Sequence, residues 1–282
     1  MNMEYKSASE LLLDWNIFVI IFGIALIFYY NYKKKTIGFQ VSKKKKLSFY
    51  TGAGLFIFAL GSPVDAVGDY LFSVHMVIQS IIYLAVPPLI LYGLPDKELE
   101  GFLSKRPALR RTIHILTKPI LALLLFNGFF SFYHVPFIFD FIMGSSLYMT
   151  LSIIFLLILS FIMWWPIVSP VKSMDSIKPL YKIAYICGMG ILLTPACALI
   201  IFSKDLLYTS YLHSTQLFGV GALDDQQAGG ALMKIIQEII YGGVIAFIFF
   251  AWAKDQRNDE IENSLEKFEE EYLSSLKENQ NM

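Results

Sequence analysis

Residues 141–171 read FIMGSSLYMTLSIIFLLILSFIMWWPIVSPV, a run of 31 residues without Asp, Glu, Lys or Arg. About 20 mainly apolar residues are enough for a helix to cross a bilayer, and backbone groups in lipid must be hydrogen-bonded within the segment. Five more such runs lie along the chain, and a shorter one, Ile239–Ala253, is long enough if it begins near Gly230. We predict an all-α polytopic membrane protein with seven transmembrane helices, near residues 14–32, 47–63, 71–94, 119–136, 146–168, 183–203 and 230–253.

The composition supports this class and excludes others. Hydrophobic residues make up 56% of the chain and charged residues 16%, whereas a soluble globular protein carries about 25% charged residues. The formal net charge is zero, which argues against a protein that binds nucleic acid through bulk positive charge. Cys187 and Cys197 both lie in one apolar stretch, so the sequence contains no disulfide framework and no CxxC motif.

Lys and Arg residues predict the orientation. Seven lie between the first and second predicted helices, six between the third and fourth, three between the fifth and sixth, and four beyond the seventh. The other side carries Lys6 and Lys204, with Lys234 near the boundary. The positive-inside rule therefore predicts an N-terminus outside and a C-terminus in the cytoplasm.

The last 29 residues differ from the rest of the chain. Residues 254–282 contain nine acidic and four basic residues, and apolar side chains recur there at helical spacing. We expect a transmembrane domain over residues 1–253 and an acidic, amphipathic cytoplasmic tail over 254–282. The tail is either a solvated helix on the membrane surface or a docking helix for a partner.

The unusual polar residues fall mainly on the predicted outer side. His75 and Gln79 are one helical turn apart in the third helix, and His134 lies at the outer end of the fourth. Ionisable groups within or beside membrane helices are costly, and their default interpretation is functional. The remaining candidates are Asp69, His213, Asp225, Gln226, Gly230 and Glu238, of which Glu238 is one turn from Lys234. Structural roles are the alternative, and a bis-histidine haem site formed by His75 and His134 also remains open.

Several motifs resemble those of the CtaG-type cytochrome c oxidase assembly factors, which are integral membrane proteins of bacterial cell membranes. They cover roughly residues 60–253 in the family's order: Ser62-Pro63, Leu71–Met76 running on to Pro87-Pro88-Leu89 and Gly93-Leu94-Pro95, His134-Val135-Pro136, Trp164-Trp165-Pro166, and Asp225–Gly230 with Met233.

The resemblance implies an assembly factor for a caa-type oxidase, with oxidase subunits and the lipid bilayer as partners, no nucleic acid, and no turnover of its own. It also implies copper handling, by Cu(I) at His75, Met76 and His134, with Asp225 and Gln226 as further site residues. This chain has Gln79 where many relatives carry a second His. It has Leu147, Tyr148 and Met149 where many have histidines, so Met149 is a substitute thioether ligand.

Two other functions compete with this one. A copper permease would need ligands staged through the bilayer, and deeper in the predicted helices only Met163 and Met189 are obvious soft candidates. A membrane haem-binding oxidoreductase would use the two histidines as axial ligands.

Overall fold

The computed structural model describes residues 8–38, 41–175, 177–212 and 218–280, so His213 lies outside the described residues. Those residues form helices and turns without a strand, which confirms the all-α prediction. The α-helices are α1 (Ala8–Leu11), α2 (Ile17–Ile37), α3 (Lys43–Gly61), α4 (Pro63–Gly68), α5 (Phe72–Ser80), α6 (Val86–Gly93), α7 (Asp96–Ser104), α8 (Pro107–Leu116), α9 (Pro119–Tyr133), α10 (Pro136–Met143), α11 (Ser146–Val168), α12 (Pro179–Ile201) and α13 (Ala222–Gln280). A π-helical segment, Ile81–Ala85, joins α5 to α6, and short 3₁₀ turns occupy Lys172–Met174 and Thr209–Tyr211.

Five of the described helical stretches are long and apolar enough to cross a membrane: Ile17–Thr36, Phe72–Gly93, Ser146–Val168, Pro179–Ile201 and the first part of α13. A sixth is obtained if α8 and α9, which meet at 71°, count together as one span. The predicted count of seven is therefore not confirmed.

Two helices account for the difference. The second predicted span corresponds to α3, whose first four residues, Lys43–Lys46, are lysines, so its apolar part is only 15 residues long. The fourth corresponds to α9, which also has 15 residues, because Pro119 begins it and Pro136 starts a new helix soon after Tyr133. At about 1.5 Å per residue, 15 residues rise about 22 Å, less than the hydrocarbon thickness of about 30 Å.

The predicted boundary at residue 253 falls inside one uninterrupted helix, because α13 runs from Ala222 to Gln280. Its first part packs along α12 and α5, and α3 packs along α6. Its described side chains beyond residue 254 are exposed. We call the end of the bundle that carries His75 and His134 the histidine end, and the end at which α3 begins the lysine end.

The Pro87-Pro88 pair shapes the helix that carries His75. Neither proline has an N–H, so the Tyr83 carbonyl lacks both its α-helical and its π-helical donor. Two side chains of α11 replace them: Trp164 Nε1 donates to this carbonyl over 3.1 Å, and Ser160 Oγ also donates to it. Ser160 and Trp164 are fully buried, so this contact fixes α11 against the centre of the α5–α6 helix.

We expect Trp164→Phe to lower the free energy of unfolding by about 1 kcal/mol, because one of the two donors to the Tyr83 carbonyl is lost. Trp165→Phe is the matched control, since Trp165 Nε1 has no partner among the described residues. Thermal unfolding in detergent measures both variants. Equal losses in the two variants would contradict this role of Trp164.

Candidate functional site

His75 lies at the centre of a buried polar cluster near the start of α5. Its side chain is 4% exposed, and its Nε2 atom is 3.0 Å from Gln79 Nε2 and 3.1 Å from the Tyr133 hydroxyl. An amide nitrogen can only donate, so with Gln79 in this orientation His75 Nε2 is the acceptor and the imidazole is neutral. The predicted i, i+4 relation of His75 and Gln79 is thus a direct contact, and α9 supplies Tyr133 to it.

Tyr133 extends this cluster to α11. Its hydroxyl is 3.8 Å from Met149 Sδ, and its one proton can go either to this sulfur or to His75 Nε2. Met149 is therefore the thioether connected to the His75 cluster. Met76, the predicted thioether ligand, follows His75 directly and is fully buried in the apolar core. Successive residues of a helix point about 100° apart, so Met76 lies on a different face of α5 from His75.

His134 ends α9 and is 2% exposed. Its Nδ1 is 2.7 Å from the Phe130 carbonyl oxygen. A carbonyl can only accept, so Nδ1 carries the proton and Nε2 keeps its lone pair. That Nε2 is buried and has no partner among the described residues. Metal-binding histidines commonly have this arrangement, with one ring nitrogen donating to a backbone carbonyl and the other free to bind.

The two histidines are neighbours through an aromatic ring. The Phe139 ring centroid is 5.6 Å from that of His75 and 6.4 Å from that of His134. Tyr208 lies beside these rings, and its hydroxyl donates a hydrogen bond to the His134 carbonyl oxygen over 2.9 Å. α5 and α9 therefore meet at the histidine end, with Phe139 against both imidazole rings.

Asp225, a predicted site residue, caps the helix that carries His75. Its carboxylate accepts from the Phe72 N–H over 2.6 Å, from the Ser73 N–H over 3.3 Å and from the Ser73 hydroxyl. It is 3% exposed. A carboxylate at a helix N-terminus is stabilised both by these donors and by the helix dipole. Asp225 therefore positions α5 and does not point its oxygens at the histidines.

Gln226 and Asp140 fix the loop over residues 205–210, which carries Tyr208. Gln226 Oε1 accepts from Leu207 N over 2.7 Å, and its Nε2 donates to the Asp205 carbonyl over 3.3 Å. The Asp140 carboxylate accepts from the backbone and the hydroxyls of Thr209 and Ser210, over 2.7–3.1 Å. Sequence reasoning did not select Asp140, although it is the one charge between two long apolar runs, which is an available signal.

Gly229 and Gly230 allow the start of α13 to approach its neighbours closely. A Cβ at Gly229 would lie 2.5 Å from the Phe72 ring, and one at Gly230 would lie 2.9 Å from an Ile200 methyl group. Gly230 thus belongs to the packing that supports the site. Glu238 does not reach the histidines: it pairs with Lys234 at 2.7 Å on the outer surface of α13, where its side chain is 60% exposed.

A cavity of about 810 Å³ opens beside the histidine cluster, between α2, α3 and α11. Asp65, Asp69, Met143, Met149 and Ser210 are among its lining residues. Burial, followed by the nearby carboxylates of Asp69 and Asp14, raises the pKa of Asp65 to about 7. The predicted residue Asp69 is exposed. The cavity therefore combines acidic side chains with Met149, which contacts Tyr133.

Asp65 makes the stability of the protein pH-dependent. Its folded-state pKa of about 7 lies above the unfolded value of about 3.9, so the folded state binds more protons between these values and stability falls as pH rises through this window. We expect Asp65→Asn to unfold at a higher temperature than the wild type at pH 8, with a difference that shrinks towards pH 4. Asp259→Asn, on the exposed part of α13, is the control. An equal difference at both pH values would contradict this effect.

The described residues contain no group of three or more His, Cys, Asp or Glu side chains arranged to hold a metal ion. The donor groups of the histidine cluster are the neutral imidazoles of His75 and His134, the Met149 thioether and the Tyr133 phenol. This set is soft and uncharged, which suits a cuprous ion better than a hard divalent cation. The unpaired Nε2 of His134 is the atom that fits such an ion best.

The chain matches a known family over most of its length. The profile described as cytochrome c oxidase caa3 assembly factor (Caa3_CtaG) matches residues 26–255, which include every residue of the histidine cluster. No curated protein and no solved structure gives a significant match. Since the profile covers well over half of the 282 residues, the resemblance drawn from the motifs is confirmed: the chain belongs to the family of caa3 cytochrome c oxidase assembly factors.

Proposed function

We propose that this protein assists the maturation of a caa-type cytochrome c oxidase at the extracytoplasmic face of the bacterial cell membrane, by delivering copper or by handling an oxidase subunit. It acts as a chaperone without turnover of its own. Membership of the assembly-factor family supports the oxidase as client, and the apolar helices support a multi-pass membrane location.

One observation favours copper as the cargo: the buried, unpaired Nε2 of His134. A buried acceptor without a donor is unfavourable unless a ligand uses its lone pair. In this proposal Cu(I) binds His134 Nε2, with His75 Nε2 or Met149 Sδ as a further ligand. Binding through His75 would require Gln79 and Tyr133 to release its Nε2, which both now contact.

The cavity beside the cluster supplies a route for the ion. Asp65 and Asp69 attract a cation at one part of the cavity, and Met149 lies where the cavity meets the Tyr133–His75 cluster. Because the pKa of Asp65 is about 7, this attraction strengthens as pH rises through 7. A soft thioether accepts Cu(I) from a carboxylate site without a change in its oxidation state.

The proposed topology has seven spans, with the N-terminus outside and the tail over residues 254–282 in the cytoplasm. In this arrangement α3 crosses with its lysines extended towards the cytoplasmic interface, as long cationic side chains can do. α9 crosses as the main part of a short fourth span. Residues 1–253 then form the transmembrane domain, and the exposed acidic end of α13 is free to meet soluble partners.

Reporter fusions after Lys46, Asp69, Lys118 and Lys204 are expected to give signals inside, outside, inside and outside, in that order. The basis is the concentration of Lys and Arg at the lysine end, which the positive-inside rule assigns to the cytoplasm. A cytoplasmic signal after Asp69 would contradict both this topology and an extracytoplasmic histidine site.

Deletion of the gene tests the function itself, with cytochrome c oxidase activity and total cell copper measured in the same cells. An assembly factor gives lost oxidase activity with normal copper, restored by the wild-type gene. Altered total copper would favour the alternative of a copper permease. A Soret absorption band in the purified protein would favour the haem-binding alternative, and normal oxidase activity would refute the proposal.

A further inference from the structure

A second polar cluster lies between α12 and α13, away from the histidines. Gln237 is fully buried, and neither its amide oxygen nor its amide nitrogen has a hydrogen-bond partner among the described residues. Tyr241, one turn further along α13, is 3% exposed, and its hydroxyl is also without a partner there. Both side chains face the same point of α12: a Cβ at Gly190 would lie 3.3 Å from Gln237 Nε2 and 3.8 Å from the Tyr241 ring.

This cluster lies near the middle of the membrane. α13 is fixed beside the α5–α6 helix at two levels, by Asp225 against Phe72 at the histidine end and by the ring of Phe247, 6.2 Å from Tyr92, towards the lysine end. Gln237 is 12 residues from Asp225 and 10 from Phe247, which is about 18 Å and 15 Å along the helix. Gln237 is 0% and Tyr241 3% exposed, so bulk solvent reaches neither side chain.

Three unpaired polar atoms cannot be left dry at such a depth, because a buried donor or acceptor without a partner loses its hydration without compensation. Lys234 and Glu238 lie next to Gln237 on α13, but they are satisfied by their own contacts, since Lys234 pairs with Glu238 and also donates to the Thr194 hydroxyl. The partner of Gln237 and Tyr241 must therefore be a small molecule held between the helices.

The hydrogen-bonding groups of these three atoms indicate which small molecule binds between the helices. Gln237 offers one acceptor and one donor, and the Tyr241 hydroxyl offers either. All three are neutral, and the Glu238 carboxylate beside them is already paired with Lys234, so a cation at this site would have no compensating charge. Gly190 allows the Gln237 amide to pack closely against α12, since a Cβ there would lie 3.3 Å from Gln237 Nε2. Water satisfies an amide oxygen, an amide nitrogen and a phenol together, and a buried water typically makes about three hydrogen bonds.

We propose that Gln237, Tyr241 and Gly190 form an internal water-binding site at the middle of the membrane. The bound water accepts from Gln237 Nε2 and donates to Gln237 Oε1, with the Tyr241 hydroxyl as its third partner. The site lies next to the buried contact between Trp164 and the Tyr83 carbonyl, since the Tyr241 ring is 5.8 Å from that of Trp164. This inference does not depend on the proposed function.

Hydroxyl-radical footprinting of the protein in lipid nanodiscs tests the site, because radicals formed from a bound water oxidise the side chains beside it. We expect Tyr241 to be modified several-fold more than Tyr185. Tyr185 is slightly more exposed, at 8% against 3%, but its hydroxyl is bonded to the Met163 carbonyl. Modification of Tyr241 at or below the level of Tyr185 would overturn the proposal.

Two variants locate the water. Gly190→Ala places a methyl group against the Gln237 amide and the Tyr241 ring without removing a polar group, and Gln237→Met removes the amide at similar volume; each should lower the modification of Tyr241 several-fold. Gly188→Ala is the control, because a Cβ at Gly188 would make only an ordinary contact, at 3.6 Å, with a methyl group of Leu123. Modification of Tyr241 that is unchanged in both Gly190→Ala and Gln237→Met would show that the water lies elsewhere and would also overturn the proposal.

Discussion

His134→Ala is expected to abolish maturation of the oxidase while the protein remains in the membrane at its normal level. His134 contributes a buried Nε2 with no partner among the described residues, so its loss removes the proposed ligand without breaking a hydrogen bond of that atom. The bond lost is the one from Nδ1 to the Phe130 carbonyl at the end of α9, worth about 1 kcal/mol. The functional loss should therefore far exceed the loss of stability.

His75→Ala is expected to have the same functional effect, because it removes the second imidazole of the cluster. Oxidase activity of membranes and the amount of inserted protein are the two measurements. His114→Ala is the control, since His114 is exposed on α8 at the lysine end. Normal oxidase maturation in both His75→Ala and His134→Ala would show that the histidine cluster is not the functional site.

Asp225→Ala is expected to lower the free energy of unfolding by about 2–4 kcal/mol, because three donors at the start of α5 lose their acceptor. Oxidase maturation then falls together with the amount of folded protein. Thermal unfolding in detergent measures the first effect, and quantitative immunoblotting of membranes measures the second.

The neighbouring carboxylate provides the control for Asp225. Asp224→Ala should be close to neutral, since Asp224 is exposed in the first turn of α13. Asp225→Asn should be intermediate, because one acceptor oxygen remains while the charge is lost. An Asp225→Ala variant that unfolds at the wild-type temperature but fails to mature the oxidase would contradict this positioning role and would indicate that Asp225 acts directly in the functional site.

The sequence predicted the parts of the fold that depend on local pattern. The span predicted at 146–168 coincides with Ser146–Val168, and the one at 71–94 coincides with Phe72–Gly93. A long apolar run bounded by polar residues must form a helix in a bilayer, because its backbone groups can be hydrogen-bonded only within the segment. The contact between His75 and Gln79 also followed from i, i+4 spacing alone.

Contacts between distant residues could not be predicted in this way. Asp225 and Phe72 are 153 residues apart, and nothing in either segment specifies that one caps the other. The choice of Met149 over Met76 depends on which face of α5 meets α11, and so on the packing of three helices. Gln237 is not among the residues that the sequence singles out; its burial against α12, with no partner among the described residues, distinguishes it only in the folded structure.

A Cu(I) titration of the purified protein tests the central claim most directly, with a chromogenic chelator as competitor and X-ray absorption to identify the ligands. We predict one bound Cu(I) with nitrogen and sulfur neighbours. The same binding should be lost in His134→Ala and kept in His114→Ala. Wild-type protein that binds no Cu(I), or binds it equally in His134→Ala, would contradict the copper site.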